Sequence, residues 1–203
     1  MTHTTTRRLV LDETAQDLLF RQAHTVDRFT DEPVPDDMVR AVHDLVRNGP
    51  TAFNQQPLRL VLLRSPQSRG RLARHLSRGN LDKTVRAPLT ALLAVDNHFH
   101  RRLPEQFPQF PGAIDLFTGE QGVRERSAMF NGALQAAYFI IGIRAAGLAA
   151  GPMSGFDEDG VNGEFFPDGD LSTLLLVNIG RPAPDGARPR GPRLGYDEIR
   201  TTL

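Results

Sequence analysis

The sequence predicts a single α+β domain in which helices flank a small central β-sheet. Three observations predict it. Three apolar runs of strand length, residues 58–64, 88–96 and 171–180, are separated by stretches with helical periodicity. The run "ALQAAYFIIGIRAAGLAA" belongs to a long helix over about 124–147 that is apolar nearly all round. No repeat and no linker composition divides the chain, so residues 11–203 read as one domain behind a polar, flexible tail of residues 1–10.

The elements follow in order. Asp12 is an N-cap for a helix that runs to about Gln22. "TDEPVPDD" is a turn-rich bridge into a helix from Asp36 to Arg47, with Met38, Val42, Leu45 and Val46 on one face. "NGP" at 48–50 ends that helix, with Gly49 as a left-handed cap. "LRLVLLR" is the first strand, and Ser65 followed by Pro66 starts a helix that ends near "SRGN". "PLTALLAVD" is a second strand, apolar enough to be buried on both faces. Residues 97–122, rich in Phe, Pro, His and Gly, read as an irregular excursion resembling a lid. A short helix over 157–165, a third strand over 171–180, and an extended tail that turns helical complete the chain.

The long helix constrains assembly. Phe130, Leu134, Ala137, Tyr138, Ile141 and Ala145 form one apolar stripe, and Ala133, Ala136, Phe139, Ile140 and Ile143 cover much of the rest. One layer of the domain covers one side, and a partner subunit is a natural cover for the other. A helix at the centre of a monomer is equally compatible with the composition.

Composition excludes several classes of function. A formal net charge of +0 removes any blanket electrostatic attraction to nucleic acid or an anionic membrane. No cysteine is present, which rules out disulfides, thiolate catalysis and cysteine-ligated metal centres. The N-terminus lacks an apolar signal segment, and the longest apolar stretch falls short of the ~20 residues a spanning helix needs, so a cytoplasmic location is expected.

Four stretches hold chemically useful groups. "GPTAFNQQP" offers Asn54, Gln55 and Gln56, amides suited to a planar ligand with a donor–acceptor edge; it also reads as a polar turn. Asn80 and Lys83 lie three residues apart and share a helix face, either to hold a carbonyl that gains negative charge or as a solvated helix end. Arg188, Arg190 and Arg193 on a stiff Pro/Gly segment suit a phosphate, or form a solvated basic tail. Asp96, His98 and His100 would share a face on a strand, but the arginines beside them oppose a dication, and no metal is expected. "GPMSGFD" imposes a fixed backbone path just after the long helix. Neither a phosphate-binding P-loop nor a dinucleotide fingerprint occurs.

Together these stretches resemble the flavin-dependent nitroreductase family, over nearly the whole chain from about Ala15. "GNLDKTVRAP", "QAAYFIIGIRAAGL", "GPMSGFD" and "NIG" are most similar to the malonic semialdehyde reductase branch, which forms 3-hydroxypropionate. The resemblance implies a nitroreductase-like fold and a homodimer with FMN at the subunit interface. In it, Pro152, Met153, Ser154 and Gly155 lie against one face of the flavin ring, and the Ser154 backbone N–H donates to N5. Asn80 and Lys83 match the pair at the pyrimidine edge, where Lys83 stabilises charge near N1 and C2=O. Asn54 and Gln56 match the loop beside the ring and ribityl chain, and Arg190 and Arg193 the phosphate-binding segment.

One motif departs from the family. Relatives read Arg-x-Ser-x-Arg or Arg-x-Ser-x-Lys where this chain has "AHTVD". Ala23 and Asp27 stand in the place of two cations, Thr25 keeps the hydroxyl, His24 is a partial substitute, and Arg21 or Arg28 are the expected compensating cations. The implied activity is ping-pong hydride transfer from NADPH or NADH, through FMN, to a small aldehyde such as malonic semialdehyde, with nitroaromatics or quinones as further acceptors. Arg101 and Arg102 could meet a substrate carboxylate or are solvated surface groups. The alternatives are a flavin-dependent dehydrogenase or tailoring enzyme that returns electrons to oxygen, and a non-catalytic interaction protein on the same fold.

Overall fold

The computed structural model describes residues 9–187 and 189–203. Residues 1–8 of the expected flexible tail over 1–10, and the basic residue Arg188, lie outside the described residues. Helix α1 (Glu13–Gln16) is capped by Asp12, whose side chain accepts from Ala15 N, and it widens into a π-helical turn over Asp17–Arg21. Helix α2 (Asp36–Val46) leads through a tight loop to strand β1 (Leu58–Leu63). Helix α3 (Pro66–Ala73) starts at the Ser65 cap, and α4 (Arg78–Val85) follows before strand β2 (Leu89–Asp96). Short helices α5 (Leu103–Gln106) and α6 (Asp115–Thr118) precede the long helix α7 (Gln121–Ala145). Strand β3 (Ala149–Met153), helix α8 (Glu158–Phe165), strand β4 (Leu171–Gly180) and a short helix α9 (Tyr196–Ile199) complete the order.

The sheet is antiparallel throughout, with strand order β1-β2-β4-β3. β2 is central, and its side chains alternate across the pleat as a strand requires. Leu89, Ala91 and Leu93 join Val39, Val42, Phe139 and Ile143 in a core beneath α2 and α7. Leu92 and Ala94 join Leu72, Met153, Val161 and Leu176 in a second core on the opposite face, under α3 and α8. The expected burial of β2 on both faces is therefore present.

Three expectations are corrected. The sheet has four strands rather than three: the missed one contains Gly151 and Pro152, residues that depress strand propensity. Proline is tolerated because β3 is an edge strand, where a backbone donor can be spared. Gly49 does not take a positive φ, since α2 ends on Arg47 in right-handed geometry. It is glycine for space instead, as a β-carbon there would lie 2.6 Å from Tyr138 Cδ2. Residues 97–122 are not irregular. They form short helical turns around a third core of Phe99, Leu103, Ala113 and Phe117, with Phe53 packed against it.

α7 approaches its neighbours closely. A β-carbon at Gly142 would lie 2.6 Å from Val46 Cγ1 on α2, and one at Gly132 would overlap Val95 Cγ1 on β2. Gly132→Ala gains about 1 kcal/mol of helix propensity but overpacks the core at a cost of about 1–3 kcal/mol. A lower urea midpoint is expected for it. Gly163 on α8 has open space around it, so Gly163→Ala is expected to raise the midpoint.

His100 is buried, and its ring Nδ1 has no hydrogen-bond partner. Burial, then the charge of Arg124, lowers its pKa. The folded state therefore resists a proton that the unfolded chain accepts below about pH 6.5. Its stabilisation is complete above that pH and is lost as pH falls. Urea unfolding between pH 7.5 and 5 should show a decline that His100→Gln flattens.

Candidate active site

Two distant segments are laced together beside the edge strand. Asp27 N donates to Gly186 O at 3.0 Å, Thr30 N to Arg181 O at 2.9 Å, and Ala183 N to Arg28 O at 3.1 Å. Gly151 of β3 has no room for a side chain, because Val26 O would lie 2.6 Å from its β-carbon. The lacing carries the C-terminal segment back over residues 21–25. Arg190 Nη2 donates to Arg21 O at 2.5 Å and to Ala23 O at 3.0 Å.

The result is a cavity of about 550 Å³. His24, Thr25 and Asp27 line it from the N-terminal segment, Lys83 from α4, Arg144 from the last turn of α7, and Arg190 and Arg193 from the C-terminal segment. Among the described residues, four cationic side chains thus face one carboxylate. That carboxylate, Asp27, lies 3.6 Å from Lys83 Nζ. Of the residues singled out from the sequence, His24, Thr25, Lys83, Arg190 and Arg193 line this cavity; Arg144, which lines it too, was not among them. The available signal was a lone arginine at the end of an otherwise apolar helix run.

The second part of the site is the loop after β3. The Gly155 carbonyl accepts from Asn80 Nδ2 at 2.8 Å and from Ser77 N at 3.0 Å. Asp157 N donates to His75 O at 2.7 Å, so the loop is stitched at Gly155 and at Asp157 to residues 75–80, which join α3 to α4. A β-carbon on Gly155 would lie 2.7 Å from both Asn80 Nδ2 and Ser77 Oγ. Ser154 is exposed, Pro152 half-buried, and the Met153 side chain is in the core, so Met153 presents only backbone to a ligand. Asn80 acts here as a clamp on backbone, with its amide N–H committed to Gly155.

Asn54 and Gln56 are elsewhere. Phe53, Asn54 and Gln56 all have positive φ, of 50°, 52° and 44°. Three such non-glycine residues together mark a strained, tightly held loop. Its anchor is Gln55, buried, whose Oε1 accepts from Ser127 Oγ and Asn131 Nδ2, each at 3.0 Å, while Asn131 Oδ1 accepts from Ala52 N at 2.8 Å. Gln56 Nε2 donates to Asn54 Oδ1 at 2.9 Å. Gln56 lines a separate cavity of about 280 Å³ with Arg59, Arg102 and Gln135. Within one chain, the fold does not bring this loop to the cationic cavity.

Asp96, His98 and His100 do not share a strand face, because β2 ends at Asp96 and a 3₁₀ turn follows over Phe99–Arg102. Asp96 Oδ2 is taken by Arg59 at 2.5 Å, and His98 Nε2 lies 3.1 Å from Asp170. Neither proposed compensating cation reaches the cavity: Arg28 pairs with Asp185, and Arg21 lies 4.0 Å from Asp17. Among the described residues no helix is long and apolar enough to cross a membrane.

Known proteins share this architecture. A Streptomyces coelicolor protein with the provisional name NADH dehydrogenase/NAD(P)H nitroreductase is 60% identical over 195 residues, covering 96% of this chain and 99% of that one. A nitroreductase-type structure from Exiguobacterium sibiricum, solved in complex with FMN, superposes with a TM-score of 0.82 at 14% identity, over 97% of this chain and 99% of that one. A structure from Staphylococcus epidermidis, provisionally named NAD(P)H:FMN oxidoreductase, gives 0.79 at 15% identity, over 97% and 99%. At those identities the structures speak for the fold alone. The family model of the nitroreductases matches residues 20–181, most of the chain and all four strands, and with the 60% identical relative it establishes that this chain belongs to the nitroreductase family.

Proposed function

We propose that the chain is an FMN-dependent NAD(P)H oxidoreductase that reduces small organic acceptors. The observation that carries the reading is the pairing of a cation-lined cavity with a clamped backbone loop, in a chain of this family. The names of the relatives, NAD(P)H nitroreductase and NAD(P)H:FMN oxidoreductase, point the same way.

The residues present fit the cofactor. A phosphate monoester carries about −1.5 to −2 charge at neutral pH, and the cavity offers it Arg144, Arg190 and Arg193, with Asp27 the one carboxylate among the described lining residues and paired to Lys83. Thr25 adds a hydroxyl donor there. When bound, FMN supplies alternate two-electron acceptance from a nicotinamide and donation to the acceptor, the ping-pong scheme.

The chain's own residues do the rest. Asn80 and Ser77 hold the Gly155 carbonyl and so restrain the loop that carries the Ser154 backbone N–H, the proposed donor to the flavin N5 position. Lys83 presents a cation for the pyrimidine edge, with Asp27 tempering its charge. Asn54 and Gln56 belong to the proposed site only across two subunits, which accounts for their distance from the cavity in one chain. The partner covers the α7 stripe, where Phe130 is 67% exposed and Leu134 and Tyr138 are also exposed. Malonic semialdehyde is the acceptor we propose first, on the branch resemblance of "GNLDKTVRAP" and "GPMSGFD". Nitroaromatics and quinones follow, because a flavin face open to a nicotinamide is open to other flat acceptors.

The purified protein, supplied with FMN, should be yellow and should bleach on anaerobic addition of NADPH or NADH. The reduced protein should then be reoxidised by the aldehyde or a nitro compound. Flavin that binds but is not reduced by either nicotinamide would favour the oxygen-using dehydrogenase. A protein that stays colourless with excess FMN would leave the non-catalytic alternative. Light scattering should give twice the 22.5 kDa chain mass, and Phe130→Glu should shift it toward the monomer while leaving the fold intact.

A further inference from the structure

Arg144 is held differently from the other cations of the cavity. It lies in the last turn of α7, and its Nη1 donates to Leu19 O at 3.0 Å. Its Nε is buried without an acceptor, and among the described residues no carboxylate pairs with it. Burial, then the nearby charge of Arg190, depresses its pKa below the ordinary guanidinium range. Arg144 and Arg190 line the same cavity, and two guanidinium forks on one wall suit an oxyanion. The backbone at this end of α7 presents carbonyls, which repel an anion, so a contact from here must come from a side chain.

The N-terminal segment meanwhile lacks its expected cations. Ala23 has no charge, Asp27 has the opposite charge, and Arg21 and Arg28 are turned toward Asp17 and Asp185. We propose that Arg144 is a ligand of the cofactor phosphate, gripping the phosphate monoester together with Arg190 and replacing the cation that the sequence "AHTVD" gives up. The long helix thereby contributes both to the core and to cofactor retention.

This rests on the FMN reading above, and the test separates the two. FMN and riboflavin, which share the ring and differ by the phosphate, are titrated into the apoprotein, with flavin fluorescence as the readout. Arg144→Gln should weaken FMN about tenfold to a hundredfold while leaving riboflavin affinity unchanged. Arg144→Lys keeps the charge and a donor for Leu19 O but loses the fork, and should weaken FMN by less, again without effect on riboflavin. Inorganic phosphate should compete with FMN in the wild type and less in Arg144→Gln. Equal losses for both flavins in the variants would assign Arg144 to the fold alone and overturn the proposal. Unchanged FMN affinity in both variants would overturn it while leaving the FMN reading intact. A wild-type protein that binds neither flavin would overturn both.

Discussion

The close seating of α7 is the constraint on which the rest of the molecule depends. Two glycines allow it: Gly132 lets the helix down onto Val95 of β2, and Gly142 lets α2 approach through Val42 and Val46. The few polar side chains of this helix then become anchors. Arg124 donates to the carbonyls of Asn97 and Phe117 and holds the ends of the 97–117 segment. Ser127 and Asn131 bind Gln55 and secure the strained loop, Gln135 accepts from Leu58 N at the start of β1, and Arg144 reaches Leu19 O in the π-helical turn. A buried polar group without a partner is costly, and together these side chains fix four separate segments to one rigid rod.

The site inherits that rigidity. Its backbone loop, 154–156, is gripped by α4 through Asn80 and Ser77, and α4 is tied in turn to the sheet by Asn178 Nδ2, which donates to Lys83 O at 3.2 Å. Thr84 Oγ1 rests 3.6 Å from Met153 Sδ at the end of β3. Lys83 and the Gly155 loop are therefore placed by the same core, and their relative position does not depend on surface contacts. The cationic cavity beside them is built mainly from chain termini, folded together by backbone pairing between residues 26–30 and 181–187.

Much of this was legible locally. The Asp12 and Ser65 caps, the strand over 171–180 and the short helix from Glu158 were read with their boundaries nearly unchanged, since capping and period depend on neighbours in the chain. Gly49 was misread because a glycine after a helix has two uses, left-handed φ and lack of bulk, and only the position of the Tyr138 ring decides between them. β3 was missed because its residues are poor strand formers, and its pairing with β4 outweighs that preference.

By itself, the sequence determined the α+β class, the long helix and several of the shorter ones, the order of three strands, the polar and cationic stretches available for a ligand, and the likeness to a family. These are matters of periodicity, capping and composition, which act over a few residues. The tertiary structure decided which stretches meet. It brought Arg190 to the carbonyls of residues 21 and 23, set Asp27 against Lys83, committed the Asn80 amide to Gly155, and placed Arg144 of an apolar helix at the wall of a charged cavity. Such meetings depend on how the two faces of β2 are covered and how closely α7 can approach them, and no local pattern carries that information.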